Sequence, residues 1–527
     1  MEPNFFELAK NIRNKFPIFE VRNSPFFRVY IRLHGDAMRI FFITPEAVPL
    51  SRAGGLADIS YHLPLALSAM GHEVTVLVPK YRGEDFPLEP LPHLTRTVDL
   101  SISRRTALFY QLKLPEGHTI ITVGCDDLFD RPGIYGNEFG DYDDNAERFI
   151  FFSKAVFSFL TEAVDPEEPT IIHAHDWASG LVSMYTKVYS SDHPNLAKTG
   201  TIFTYHNLAN QGTFPYYDFT MTGLDWSHFT FQGLEFHGQL NLTKAGLIGA
   251  LLISTVSHKY ARETLSPELG KGLEGLLKER RKDIRSVLHG VDYHIWNPET
   301  DQNIPKNFGP QDLSGKEVCR QGLTSLFGLH DSDEPIVALI SRLLARKGLD
   351  LLVKAMPALL ELPLKLVFMG TGDDHYISFL KDAAIHNSGR VGLKLAYDPP
   401  LNHQILAGAD IFLCPSRFEP CGLEQLYALK YGTVPLVRAT GGLDDTVMDE
   451  IGHPGKGTGY KFTDYTPEAL ILTLKTALAD FKERDKWRSL MLRGMHENFS
   501  WDRAAEAYVS IYQQALAIAS ENNRDGN

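Results

Sequence analysis

The chain has 527 residues, 43% of them hydrophobic and 22% charged, the balance of a globular protein too long for one ordinary core, so two or three domains are expected. Its formal charge of −13 and pI near 5.9 exclude a surface built to hold nucleic acid or anionic lipid, which needs broad positive potential. Any anionic ligand must therefore meet local cations.

Residues 1–37 mix phenylalanine pairs with Glu2, Glu7, Lys10, Arg13, Lys15 and Glu20. They lack the apolar core of a signal peptide and the acid-poor character of a transit peptide, and are read as an N-terminal extension. Short apolar runs then recur at 39–43, 74–78, 120–123, 170–173, 201–204 and 251–256, separated by helix-sized intervals. Continuous apolar strands alternating with helices predict a parallel sheet covered on both faces. After a Pro- and Asp-rich stretch at 296–334 the pattern restarts at 336–340, 364–369, 393–396, 411–413 and 434–437. The expected fold is thus α/β, with one doubly wound domain over 38–290 and a second over 291–500, joined by a linker near 288–298. The apolar run 246–253 reads as a helix end entering a strand. A last helix, 502–520, puts Tyr508, Ile511, Tyr512 and Ala515 on one face, which must pack on something.

No stretch reaches the roughly 18 consecutive apolar residues of a membrane span. Cys125, Cys319, Cys414 and Cys421 form neither C-x-x-C pairs nor a disulfide framework, so a reducing, cytoplasmic setting is expected.

The candidate chemistry lies at the predicted strand ends, where open parallel sheets bind ligands. Following the first strand, Arg52, Gly54, Gly55 and Asp58 lead into a helix whose free N–H groups suit negative charge; a tight turn without ligand is the competing reading. The spacing is not that of a dinucleotide fingerprint. His173-Ala174-His175-Asp176-Trp177 and Tyr205-His206-Asn207 offer polar and aromatic groups fit for a sugar. A metal shared by His173 and His175 is disfavoured on the expectation that the two point to opposite faces of one strand. Arg342, Arg346 and Lys347 follow the first strand of the second domain and could neutralise a diphosphate. Glu419 lies between two prolines in a strand-to-helix loop, and Gly422 opens the next helix.

Around that loop, the run Pro415-Ser416-Arg417-Phe418-Glu419-Pro420-Cys421-Gly422-Leu423-Glu424-Gln425-Leu426-Tyr427, continued by Thr440-Gly441-Gly442-Leu443, resembles the signature of the bacterial glycogen synthase and plant starch synthase family. The resemblance runs from about residue 38 to 512 and includes the Arg52–Asp58 loop, the His173–Trp177 segment, the His206-Asn207 string, residues 341–348 and Trp296-Asn297-Pro298, in family order.

That resemblance implies a GT-B architecture, two Rossmann-like domains facing a deep cleft with the last helix crossing back to the first. It implies retaining transfer of glucose from ADP-glucose, less often UDP-glucose, to the non-reducing end of an α-1,4-glucan, without metal or cofactor. By motif position, Glu419, His206 and Asp176 would serve the reacting centre. Arg52, Gly54, Gly55, Asp58, Asn207, Arg342, Lys347, Cys421, Gly422, Leu423 and Thr440 would hold the donor, and Tyr397 would stack on its base. The chain departs from the family at Arg52 (usually Lys), Arg346 (usually Gln) and His289 to Asp292 (usually with Asn), changes that bear on donor preference or hinge. The competing readings are a metal-dependent transferase using Asp126-Asp127, Asp141 to Asp144 or Asp373-Asp374, a pyridoxal-dependent phosphorylase, and a noncatalytic glucan-binding homologue.

Overall fold

The computed structural model describes residues 37–83, 86–115 and 117–525; most of the N-terminal extension lies outside them. The first sheet contains β1 (Arg39–Ile43), β2 (Glu73–Pro79), β3 (Arg104–Lys113), β4 (Thr119–Gly124), β5 (Thr170–His175), β6 (Gly200–Tyr205), β7 (Leu252–Thr255) and β8 (Ile284–Ser286). Their spatial order is β8-β7-β6-β5-β1-β2-β4-β3. All these pairs are parallel except β3 on β4. The second sheet is wholly parallel: β9 (Ile336–Ile340), β10 (Lys365–Met369), β11 (Val391–Lys394), β12 (Ile411–Cys414), β13 (Val434–Arg438) and β14 (Tyr460–Phe462), ordered β11-β10-β9-β12-β13-β14.

The side-chain period of two explains the unbroken apolar runs. In β1, Phe41 and Ile43 enter one core, while Ile40 and Phe42 enter the core on the opposite face. In β10, Leu366 and Phe368 face one layer and Val367 and Met369 the other. Both faces are covered, so no strand position can be polar at low cost. Helix α1 (Gly55–Ala69) buries Leu56, Ile59, Leu63 and Leu67 against the first sheet at helical spacing.

The long helix α2 (Trp501–Asp525) returns to that same face. Ala505, Tyr508, Tyr512 and Ala515 pack with Ile40 and Phe42, and each large apolar side chain so buried contributes about 1.5–3 kcal/mol. The Tyr512 hydroxyl meets His173 Nδ1 at 2.9 Å, so the returning helix buttresses the strand end beneath the cleft. The outgoing and returning chains run side by side, with Val291 N–H donating to the Phe499 carbonyl at 2.6 Å. A Cβ at Gly290 would overlap Trp501, so glycine allows this close crossing.

Three differences from the sequence reading have plain causes. The strand expected at 393–396 is β11 at Val391–Lys394, because apolar Leu395 lies just past the strand in the following loop. The antiparallel β3 alternates buried and exposed residues, and β8 and β14 are three-residue edge strands, so none carries a continuous apolar signal. His173 and His175 do not point to opposite faces: residues two apart in a strand share a face, and their ring centroids lie 3.9 Å apart.

Candidate active site

A cavity of about 370 Å³ opens between the two sheets. Its walls follow the carboxyl ends of six strands: Gly55 and Leu56 after β1, Asn207 after β6, Val256 after β7, His289 beyond β8, Arg346 and Lys347 after β9, and Glu419 to Glu424 after β12. This is where a doubly wound fold places its ligand.

Glu419 and Lys347 form an ion pair inside it. Ser416 Oγ also donates to the Glu419 carboxylate at 3.2 Å. Burial alone would lower the Lys347 amine, but the Glu419 carboxylate overrides it and holds the amine above its ordinary value. Lys347 therefore stays cationic and able to meet an anion. Its loop turns at Gly348, φ 89°, where a Cβ would strike the Pro415 carbonyl. The glycine lets the Lys347 and Glu419 loops touch.

The Glu419 loop is itself held from below by helix α3 (Gly441–Thr446). The Gly442 N–H donates to the carbonyls of Glu419 at 3.1 Å and Pro420 at 3.0 Å, and a Cβ on either Gly441 or Gly442 would overlap that backbone. Cys421, Gly422 and Leu423 line the cavity, with Gly422 at φ 70° turning into helix α4 (Glu424–Lys430). Burial pushes the Cys421 thiol up to about 12, so it stays neutral.

On the other wall, His206 faces the cavity, and neither ring nitrogen has a hydrogen-bond partner among the described residues. Asp176 fixes it. The Asp176 carboxylate accepts the His206 backbone N–H at 2.8 Å and has an oxygen 3.1 Å from Nδ1, an approach outside hydrogen-bond geometry. Asp176 adopts φ 56°, a strained conformation for a residue with a side chain, of the kind that collects at functional sites. His175 stacks behind His206 with ring centroids 5.5 Å apart, and burial holds His173, His175 and His289 well below the usual histidine range, hence neutral. Among the described residues, no group of three or more His, Cys, Asp and Glu is arranged to hold a metal ion.

Several anticipated residues stand elsewhere. The Ala53 and Gly54 N–H groups donate to Glu46 at 2.7 and 2.8 Å, so a buried carboxylate already occupies that part of the loop, and only Gly55 reaches the cavity. Arg52 is exposed and folds back on Asp58 at 2.8 Å; burial raises the Asp58 carboxyl, with Arg52 and His62 opposing. Arg342 is exposed, and its neighbour Arg346 lines the wall instead. Thr440 gives its hydroxyl to Glu263 at 3.1 Å and does not line the cavity. Tyr397, 59% exposed, does not line the cavity and bonds the Asn402 side chain. The sequence reading assigns no site role to His289, Glu46 or Glu424. Glu424 sits within the quoted motif, and its place in the first turn of α4 was the available signal; Glu46 acts within a local turn and His289 through rings distant in sequence.

Two Rossmann-like sheets, a cleft at their strand ends and a returning helix define a GT-B glycosyltransferase. Residues 39–279 match the family model of the starch synthase catalytic domain and 327–489 that of group 1 glycosyl transferases. The chain is 42% identical over 482 residues to a glycogen synthase of Anaeromyxobacter sp. (strain Fw109-5), covering 91% of this chain and 100% of the relative. It is 41% identical over 483 residues to a glycogen synthase of Moorella thermoacetica, covering 91% and 97%. Among solved structures, the catalytic domain of starch synthase IV from Arabidopsis thaliana, bound to ADP and acarbose, superposes with a TM-score of 0.81 at 29% identity, covering 92% of this chain and all of that one. The chain belongs to the glycogen synthase family, and it is a glycosyltransferase that builds α-glucan.

Proposed function

We propose that this enzyme transfers glucose from ADP-glucose to the non-reducing end of an α-1,4-glucan, retaining the anomeric configuration, and works in the cytosol. One observation carries the reading: a single cavity brings together the Lys347–Glu419 pair, the helix start at Gly422 and Leu423, and His206, whose ring nitrogens have no hydrogen-bond partner among the described residues. The first suits a diphosphate beside a sugar, the second adds backbone N–H groups, and the third offers hydrogen bonds to sugar hydroxyls. The ADP and acarbose in the Arabidopsis structure support an adenine nucleotide donor and an oligosaccharide acceptor. Four free cysteines and described helices too short or too polar to cross a membrane accord with the cytosolic setting.

In the proposed step the bond from the anomeric carbon to the diphosphate oxygen breaks, and the bond to the acceptor oxygen forms on the same face. The acceptor proton passes to the departing diphosphate. Lys347 and Arg346, with Arg342 behind, stabilise the negative charge that develops on that leaving group. Glu419 faces the sugar ring, where positive charge develops, and its ion pair with Lys347 holds both groups in register. Asp176 orients His206 toward the donor hydroxyls. Tyr397 stacks on the base, and Asn207 and Gly55 complete the donor wall. Closure of the cleft keeps water from competing with the acceptor.

Purified protein incubated with glycogen and either ADP-glucose or UDP-glucose tests the reading, in the presence of chelator. We expect nucleoside diphosphate release with ADP-glucose to exceed that with UDP-glucose by at least about tenfold, the scale of one well-made discriminating contact. A UDP-glucose preference would overturn the donor assignment. Silence with both would favour a noncatalytic glucan-binding role.

A further inference from the structure

Glu424 has no part in the step just described, yet it lines the same cavity. It lies in the first turn of α4, and its surroundings differ at its two ends. Toward the reacting centre it feels Lys347 and Glu419. Away from it, the Asn402 amide faces both Glu424 carboxylate oxygens, at 3.3 and 3.5 Å, and the same Asn402 side chain bonds Tyr397.

Asn402 is fully buried, and its Oδ1 has no partner among the described residues. The Glu424 carboxylate, held by the Asn402 amide at long distance, and the unpartnered Asn402 Oδ1 therefore stand together as acceptors able to take further donors. Asn402 links Glu424 to Tyr397, while Glu424 feels Lys347, so the pair connects the end proposed for the diphosphate to the residue proposed for the base. In a nucleoside diphosphate, the group between phosphate and base is the ribose. Its two vicinal hydroxyls are donors spaced for one carboxylate, the use to which nucleotide-binding folds commonly put an acidic residue.

We propose that Glu424 recognises the ribose diol of the donor nucleotide and makes the enzyme selective for ribonucleotide over deoxyribonucleotide donors. The proposal rests on the nucleotide-sugar reading above. A structural role alone accounts poorly for Glu424, because no cation pairs with it at hydrogen-bond distance among the described residues. Burial pushes its carboxyl up to about 7, with Asn402 and Lys347 pulling it down and Glu419 adding to the rise. A carboxyl so raised lacks compensation and gains from donors that a ligand brings.

Calorimetric binding of ADP, 2′-deoxy-ADP and 3′-deoxy-ADP to the full chain and to Glu424→Ala and Glu424→Gln tests this. The unmodified enzyme should bind ADP at least about tenfold more tightly than either deoxy analogue, the factor for a hydrogen bond to a charged group. In Glu424→Ala the difference should shrink to within about threefold, because ADP loses affinity while the analogues keep theirs. Glu424→Gln, which keeps an acceptor, should fall between. An equal loss for all three ligands, or an unmodified enzyme indifferent to the deoxy positions, would overturn the proposal. Failure of the nucleotide-sugar reading looks different: the unmodified chain would bind neither ADP nor UDP, and both would fall. Matching thermal unfolding of the variants would separate lost contacts from lost fold.

Discussion

Glu263 of the first domain accepts a hydrogen bond from the Thr440 hydroxyl of the second at 3.1 Å. The Gly441 N–H reaches the same carboxylate at 3.1 Å. Across the same boundary Asp445 accepts from the Ser257 hydroxyl at 2.7 Å and the Lys259 N–H at 3.0 Å. Each domain thus sets a carboxylate on the start of a helix in the other, a reciprocal latch close to the Glu419 loop.

Removing both carboxylates, Glu263→Ala with Asp445→Ala, should shift the enzyme toward an open cleft. Charge-assisted bonds of this kind are worth about 1.5–3 kcal/mol, so kcat/KM should fall about tenfold or more. Small-angle scattering should show a larger radius of gyration than for the unmodified chain. Unchanged scattering together with unchanged kinetics would show that the latch does not govern closure.

The Gly441→Ala variant should damage the site without touching a ligand. Gly441 sits at φ 46°, and a Cβ there would overlap the Glu419 carbonyl. A side chain in this backbone region costs about 1–3 kcal/mol, and the overlap must push the Glu419 loop aside. Both the unfolding temperature and turnover should drop; normal turnover at normal stability would count against the support assigned to this helix.

Much of the architecture was legible because both sheets are buried on both faces, which forces continuous apolar strands such as 39–43 and 336–340. The strands at Arg104–Lys113 and Tyr460–Phe462 were not, since the first alternates buried and exposed residues and the second is only three residues long. The cavity was legible where a motif keeps its lining residues together, as from Glu419 to Leu423. It was illegible where the tertiary fold chooses a group's partner, whether a few residues away or far along the chain. Nothing near Gly54 announces that Glu46 takes its N–H, nothing near Thr440 that Glu263 takes its hydroxyl, and nothing near Arg52 that its guanidinium turns to Asp58. The misplacement of His175 relative to His173 was a different matter, since strand periodicity alone puts both on one face.

Glu424 should also leave a mark on stability. Burial raises its carboxyl from the ordinary 4.5 to about 7 in the folded chain, so the folded state holds a proton that the unfolded chain releases. That contribution is complete below about pH 4.5 and is lost as pH rises through 7. Glu424→Gln should therefore flatten the decline of Tm between pH 5 and pH 8, seen by parallel thermal scans. A decline as steep as in the unmodified enzyme would place the titration elsewhere.

The Lys347→Ala variant should lose about 10²–10³ in kcat, the scale of one preorganised charge-stabilising group. Lys347→Arg should recover little, because a planar guanidinium does not reproduce the compact ammonium that meets Glu419. Full recovery with arginine would show that only net charge matters at this position.

The most direct test of the account is transfer of labelled glucose from ADP-glucose into glycogen by the unmodified enzyme and by Glu419→Ala. The account predicts clear incorporation by the first and a loss of about 10³-fold or more in the second, with thermal unfolding showing that the variant still folds. No incorporation by the unmodified enzyme, or a folded Glu419→Ala variant that retains most of its activity, would contradict it.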